Sequence, residues 1–520
     1  MHVEITVALG GGPTTWSLAR GTADRVTHAT GHDSVGELGV QVVGAVPGVE
    51  LRLDRPSKGP VTLAYDVLAG GDAPDDPLGV LVLDDRFRGA GERLVALPLG
   101  ADGDGSPKNT LLRIDGEALR APGAASSVGV GPARRTTLHP GSLRLMSFVA
   151  GSLGVEVIDD PAAGHDEGAW LGYTAFDPRP TIAELAQMRS SLRELLRSQV
   201  DPGSWTYLFV AQTRPLGSFT TTPRARSMLV QVGPSEPWSA ALRLSVAQQL
   251  ARRWLGGELE VGSGPEGAWF DEGVCRYVAM LLLAHVGLFT PDEVREAVAG
   301  ELSVVATSPH RALGNAQLAQ LAAKDEVARA TLMARGALYA LRESATLRAR
   351  TRGQRGLVDA LVGLVSQAEG QKGHAPLSVA AWLDALAKDD PDAARTFDAV
   401  ITRGEPLTLP ADALGPCFRA GTGEYVAFDP GFDLDATRVS ADGRVVGIRA
   451  DGPAARAGLR DGDVVTSMQA RDGDPSAPIK LVVERAGAKI TLSYLPRGAH
   501  GRGQTWSRLR VADDRCGDPP

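Results

Sequence analysis

The sequence predicts a multidomain α+β protein, with a β-sandwich-like domain at the N-terminus, an α/β region continued by helices in the middle, and a smaller β domain at the C-terminus. Three observations lead there. At 520 residues the chain is too long for one hydrophobic core, and about three or four domains are expected. Its apolar residues change period along the chain, from two-residue alternation to steps of three and four and back again. Clusters of Gly, Pro and Asp separate the short alternating runs of the first 152 residues at the spacing of a sandwich.

In order, residues 1–152 carry "VELRL", "VTLAYDVLA" and "GVLVLDD" as short strands, with no long helical period between them. The polar stretch "GADGDGSPKN" (100–109) reads as a loop, because its Asp spacing lacks the terminal Glu of a calcium-binding EF-hand. The Gly triplet at 10–12 lacks the Lys-Ser/Thr of a phosphate loop and reads as a turn. "GHDS" (31–34) places His, Asp and Ser side by side, where they cannot form a catalytic triad. Residues 153–287 are mixed: "VEVID", "YLFVAQ" and "SMLVQVG" read as strands and 181–200 as an amphipathic helix. The stretch "PAAGHDEGAW", with His165, Asp166 and Glu167, reads as an exposed acidic loop. Two further helices are expected at 237–255, capped by Ser235 with Pro237 in its first turn, and at 267–287. Residues 288–412 are almost wholly helical in period. Residues 413–500 return to β structure, and 501–520 read as a loosely held tail.

Composition excludes several classes. A hydrophobic content of 43% and a charged content of 22% are those of a folded globular protein. The net charge of −8 supplies no basic field for nucleic acid. The longest apolar stretch, "YVAMLLLAHVGLF" (277–289), is interrupted by His285, so no membrane span is expected. No basic segment followed by an apolar one opens the chain, so no signal peptide is expected in it, although a trimmed chain with a new start Met would read the same. Three cysteines and no Cys-x-x-Cys give no structural zinc site. Cys417 and Cys516 flank the last domain, and two readings stay open: two free thiols, or a bridge closing that domain, which would favour a periplasmic or secreted location over the cytoplasm.

Four local matches in the right order give the chain a family resemblance. "YDVLAGGDAPDDPLGVLVLDDRF" resembles an N-terminal strand pair, "WFDEGVCRY" (269–277) a Trp-x-x-Glu-Gly-x-x-x-Tyr segment, and "MARGALYALRESATLRARTRGQRGLVDAL" a helical stretch that opens Tyr-x-Lys-Gly. The fourth, "PAARAGLRDGD", resembles the core of a PDZ domain. Together they resemble the glycyl aminopeptidase family of gluzincin zinc peptidases over nearly the whole chain. The resemblance implies a thermolysin-like α/β domain at 153–287, a helical subdomain at 288–412 and a PDZ-like domain at 413–500.

In such enzymes a helix carrying His-Glu-x-x-His binds zinc through both imidazoles, its Glu is the general base for the metal-bound water, and a Glu on the next helix completes the coordination. Aligned on Trp254, this sequence has Gln248 at the first His, Gln249 at the Glu and Arg252 at the second His, while Glu272 is retained. Gln is a poor zinc ligand, Gln249 cannot take a proton from water, and Arg stays protonated. The Tyr that stabilises the oxyanion corresponds to Met333, and the segment that holds the substrate's amino end corresponds to "GSFTTTPRARSM" (217–228), which has no carboxylate. Metal, base, oxyanion donor and amine anchor are lost together.

The reading is a pseudopeptidase with no catalytic residues, no cofactor and no zinc, acting as a scaffold or binding protein for an unidentified protein or peptide. The alternatives are an enzyme with metal-free chemistry in the inherited cleft, or a peptidase that recruits a metal in another way. A carboxylate that has lost its metal needs a new counter-charge. Arg252 is expected to pair with Glu272, with Gln248 adding an amide hydrogen bond; the alternative is that Arg252 turns to solvent and Glu272 meets another donor. In the PDZ-like domain, "GFDL" (Gly431, Phe432, Asp433, Leu434) would be the strand lining a peptide groove. Only "QARDGDPSAP" lies between Met468 and Ile479, too short for the helix that would face it.

Overall fold

The computed structural model describes all residues except 8–11, 70–75, 77, 84, 100–107, 115–122, 161–163, 200–203, 213, 215, 225, 263, 372–374, 441, 512–515 and 517–520. Most of the polar stretch at 100–109 and of the Gly triplet therefore lies outside the described residues. The chain divides into two compact units. One comprises Met1–Ala183, Pro202–Arg214 and Phe219–Ser235, the other Glu184–Asp201, Pro215–Ser218 and Glu236–Pro520.

The first unit is built of sheets. Two four-stranded antiparallel sheets have the orders His2–Val7, Val61–Val67, Val26–Asp33, Gly36–Leu38 and Leu97–Pro98, Thr15–Leu18, Gly48–Leu53, Val40–Ala45. Their alternating apolar residues bury one core that includes Trp16, Leu51, Leu63 and Tyr65, all fully covered. Tyr65 satisfies its hydroxyl there by donating to the Leu94 carbonyl at 2.7 Å and accepting from the Ala96 N–H at 2.9 Å. Asp33 of the "GHDS" stretch is structural as well. It accepts two hydrogen bonds from Arg55, at 2.7 and 3.0 Å, and one from the Lys58 N–H at 2.8 Å, and these hold its carboxyl well below the usual range.

Besides an antiparallel five-stranded sheet (Gly129–Val130, Gly123–Ser126, Ser147–Gly151, Arg86–Ala90, Leu81–Leu83) and the pair Lys108–Arg113 with Ala133–Leu138, this unit holds a mixed five-stranded sheet in the order Leu153–Asp160, Gly164–Leu171, Trp205–Ala211, Ser227–Val232, Phe219–Arg224. Its three middle strands run parallel. Every residue of Trp205–Ala211 is buried, which is why that strand reads as one apolar run. The sequence expectation of an exposed acidic loop at 161–170 is corrected over its described residues, 161–163 lying outside them, because Gly164–Leu171 is an interior strand with Asp166 and Glu167 at 1% and 6% exposure. Glu167 accepts from Arg134 at 2.5 and 2.8 Å and from the Val130 N–H at 2.5 Å. Asp166 accepts from the Trp205 N–H at 3.1 Å and the Tyr207 hydroxyl at 3.2 Å. Consecutive carboxylates on one strand face opposite ways, and each finds donors on its own side, so a charged run sits inside a sheet.

The second unit is helical and ends in β structure. Among its helices are Ala240–Ala251, Cys275–His285, Pro291–Thr307, Glu326–Arg350, Leu357–Glu369 and Val379–Ala387. The long helical period from 315 is broken once, where Asp325 caps Glu326–Arg350 by accepting from the Val327 and Ala328 N–H groups. No helix among the described residues is long and apolar enough to cross a membrane.

At the C-terminal end, Val464–Gln469, Ile479–Arg485 and Ala488–Tyr494 form an antiparallel sheet, while Phe418–Phe428 pairs with Arg497–Arg508 in a long ribbon. Residues 501–508, read as the start of a tail, are thus ribbon. The "GFDL" stretch is a helix start and not a strand: Asp433 caps Leu434–Val439, and Phe432 and Leu434 sit in a core with Ile479, Leu481 and Val483. Residues 470–478 form turns, with no helix among them. Cys417 and Cys516 are bonded, with their Cα atoms 5.1 Å apart.

Candidate functional site

Three elements meet where the sequence aligns with the catalytic positions of the resembled family. The first is Ala240–Ala251, whose N-cap is Ser239 and not Ser235; the Ser239 hydroxyl accepts from the Leu242 N–H at 3.3 Å. It buries Val246, Ala247, Leu250 and Gln248, and it ends at Ala251, so that Arg252 is its C-cap. The second is a π-helical turn, Trp269–Val274, running into Cys275–His285. The third is Glu326–Arg350, which carries Met333.

Two glycines bring the second and third elements into backbone contact. A Cβ on Gly273 would lie 2.5 Å from the Cα of Gly336, and one on Gly336 would lie 2.2 Å from the Trp269 carbonyl. These are the glycines of "DEG" and "MARG", so their place in both motifs has a steric reason. Beneath them Trp269 stacks edge to face with Phe270, Tyr339, Trp382 and Phe397, at centroid distances of 5.7, 5.9, 5.5 and 5.0 Å.

Gln248, Glu272 and Met333 do converge. The Gln248 Nε2 donates to the Glu272 carbonyl at 3.1 Å and to the Met333 sulfur at 3.4 Å. Its Oε1 accepts from Arg276 at 3.3 Å, and Arg276 is held from behind by Glu301 at 2.8 Å. The counter-charge of Glu272 is not Arg252. It is Arg329, whose Nε and Nη2 meet the two carboxylate oxygens at 3.1 and 3.0 Å in a bidentate pair.

The expected Arg252–Glu272 pair is therefore corrected, and the cause is the direction of the π-turn. Asp271 faces the Arg252 side, with its Cβ against Gly256, while Glu272 points its carboxylate toward Glu326–Arg350. Arg252 acts on Asp271 instead. Burial pushes the Asp271 carboxyl up to about 6, Glu260 adds to this and Arg252 opposes it. Asp271 Oδ1 and Gln249 Oε1 are both buried without a hydrogen-bond partner. Cys275, also in this region, is fully buried and donates to the Leu255 carbonyl, and burial raises its thiol far above the range of a reactive cysteine. Sequence reasoning missed Arg329, although it lies four residues before Met333 and so on the same helix face.

The segment aligned with the amine anchor contributes the edge strand Phe219–Arg224 of the first unit, where Thr220 donates to Gln231 and Arg224 pairs with Glu92. The donor set where the sequence aligns with the zinc-binding positions of the resembled family is two amides, a thioether and a carboxylate paired with a guanidinium. That set does not suit Zn²⁺, which takes imidazole, thiolate or free carboxylate. Among the described residues no group of three or more His, Cys, Asp or Glu is placed to hold a metal ion.

The fold is similar to that of an aminopeptidase N family protein. The aminopeptidase N family protein of Idiomarina loihiensis superposes with a TM-score of 0.66 at 16% identity, covering 96% of this chain and 95% of that one. The M1 zinc metallopeptidase of Deinococcus radiodurans matches more loosely, at 0.47 and 19% identity over 78% of this chain and 90% of that one. Yeast LTA4 hydrolase matches at 0.43 and 12% identity over 78% and 63%. No protein-family profile matches the sequence, and no curated protein matches it. At these identities the likeness is one of architecture: a mixed α+β, multidomain, aminopeptidase-like fold.

Proposed function

We propose that the chain is a pseudopeptidase, a non-catalytic scaffold or binding protein on an aminopeptidase-like fold, derived from the glycyl aminopeptidase type of gluzincin. The observation that carries this reading is the Arg329–Glu272 pair, a permanent cation bound to the remaining ligand carboxylate, with Gln248 bridging Glu272 to Met333. A guanidinium in that place repels a divalent cation and competes with it for both carboxylate oxygens. The partner is a protein or peptide. The C-terminal β domain serves as a structural or docking element, since Phe432 and Leu434 spend their side chains on its own core. The bond between Cys417 and Cys516 favours an oxidising, extracytoplasmic compartment.

A second reading is favoured by Asp271, a carboxyl poised at about 6 with an unpartnered oxygen, which is the property of a metal-free general acid or base. One experiment separates the two. Metal content of the purified full chain is measured beside hydrolysis of a panel of aminoacyl amides. The pseudopeptidase predicts neither stoichiometric zinc nor turnover; zinc with turnover overturns it. Turnover without metal, abolished in Asp271→Asn, would establish the second reading.

A further inference from the structure

Away from the residues discussed so far, the second unit holds a cavity of about 480 Å³ between one face of Glu326–Arg350 and the segment 390–408. Four arginines line it, Arg342, Arg350, Arg395 and Arg403, together with three carboxylates, Asp390, Asp392 and Glu405. The first two lie eight residues apart, two turns along one helix face.

These arginines fall into two kinds. Arg342 and Arg350 are braced from inside the protein. Arg342 Nη1 meets Glu343 at 2.7 Å and the Thr396 hydroxyl at 3.1 Å, while Arg350 Nη2, on a side chain 41% exposed, meets the buried Asp390 and the rim carboxylate Asp392, both at 3.1 Å. The bracing carboxylates are 0% and 1% exposed, so they fix the guanidiniums and leave other nitrogens of each fork for a ligand. Arg395 and Arg403 belong to the rim, with side chains 79% and 50% exposed. They pair with Asp392 at 2.8 Å and Glu405 at 2.8 Å, both half exposed, and Arg403 also meets Asp398. Exposed pairs of this kind contribute little and exchange readily for a stronger acceptor.

We infer that this cavity is a binding site for a doubly charged oxyanion group, a phosphate monoester or a dicarboxylate, taken between Arg342 and Arg350 on the helix and the exposed rim pair Arg395 and Arg403, with the anion displacing Asp392 and Glu405 from these arginines. Planar forks arranged on several sides of a pocket suit oxygens carrying two charges, which a single lysine-like point charge does not. Ala399, Val400, Pro406 and Leu407 form an apolar part of the wall, which fits an organic carrier of the anion in preference to the bare ion. The site is independent of the pseudopeptidase reading, since none of its residues takes part in the Glu272 cluster.

The test is isothermal titration of the full chain at constant ionic strength with phenyl phosphate, inorganic phosphate, succinate and chloride. Phenyl phosphate or succinate is expected to saturate one site per chain, more tightly than inorganic phosphate, with chloride giving no saturable heat; which of the two binds more tightly assigns the source. Arg395→Ala with Arg403→Ala should weaken the preferred ligand by about tenfold for each arginine removed. Both positions are exposed, and Arg395→Ala alone carries the test if the double variant does not fold. No saturable binding of either dianion, or equal affinity in parent and variant, overturns the site.

Discussion

Glu272 shows how far the chemistry of single residues could be read from the chain. The retained carboxylate, the two glutamines and Met333 were all visible in the motif spacing, and Gln248, Glu272 and Met333 do meet. The counter-charge was not visible, because a π-turn sends neighbouring carboxylates opposite ways and sequence spacing does not encode that turn. Two outcomes follow at this scale. Arg329→Ala leaves a carboxylate that is 16% exposed without its partner and is expected to cost about 1–2 kcal/mol in chemical denaturation, discounted because Arg329 is 57% exposed. Glu272→Gln in the same chain should recover part of that, whereas Arg252→Ala should change stability by less than about 1 kcal/mol. Equal costs for Arg252→Ala and Arg329→Ala would show that the counter-charge is misassigned. The second outcome concerns Glu343, which burial pushes from 4.5 up to about 7. Below pH ~4.5 the folded and unfolded chains both hold this proton. Between there and 7 the unfolded chain releases it while the folded chain keeps it, and above 7 the folded chain carries a buried anion, so this group lowers stability as pH rises. Glu343→Gln keeps the acceptor for Arg342, and it is expected to stabilise by up to about 3 kcal/mol at pH 8 and hardly at all at pH 5. A gain independent of pH would refute the assignment.

At the scale of elements, periodicity located most helices, and capping chemistry decided their ends. Ser239 rather than Ser235 starts the Gln248 helix, and Asp325 divides what reads as one long helical run. Neither could be settled from the sequence, since Ser and Asp side chains at several positions compete for the same N–H groups. The contact between Trp269–Val274 and Glu326–Arg350 is made by two glycines and a stack of aromatics. Trp269, Phe270 and Trp382, at most 1% exposed, each contribute on the order of 1.5–3 kcal/mol by burial. Chelator is therefore expected to leave the melting temperature unchanged, and a marked drop would reveal a structural metal. Gly336→Ala, by contrast, drives a methyl group against the Trp269 carbonyl and should cost on the order of 1–3 kcal/mol or more. A fully stable Gly336→Ala chain would mean that these two elements are not in backbone contact.

Across the whole molecule, the order of β, mixed and helical stretches was legible because each has its own period, and the buried carboxylates of Gly164–Leu171 were not, because charge in a sequence reads as surface. The covalent tie at the C-terminal end is the feature of largest scale that spacing left open. Cys417 and Cys516 close a loop of 99 residues that contains the ribbon of Phe418–Phe428 with Arg497–Arg508 and the small three-stranded sheet. The core of that sheet is short, with Phe432, Leu434, Val445, Ala454, Leu459, Ile479, Leu481 and Val483 as its buried apolar members. A small core gains from a staple, and closing a loop of this length removes chain entropy from the unfolded state worth roughly 4–5 kcal/mol in the entropic account, less where the open form keeps structure. Reduction of the bond, or Cys417→Ala with Cys516→Ala, is therefore expected to lower the unfolding midpoint of residues 417–516 while leaving the helices of Ala240–Ala251 and Glu326–Arg350 protected. Hydrogen exchange on the oxidised and reduced chains reads both regions at once. Faster exchange confined to the C-terminal strands bears the argument out; identical exchange in the two redox states would show that the ribbon and sheet hold together without the bond.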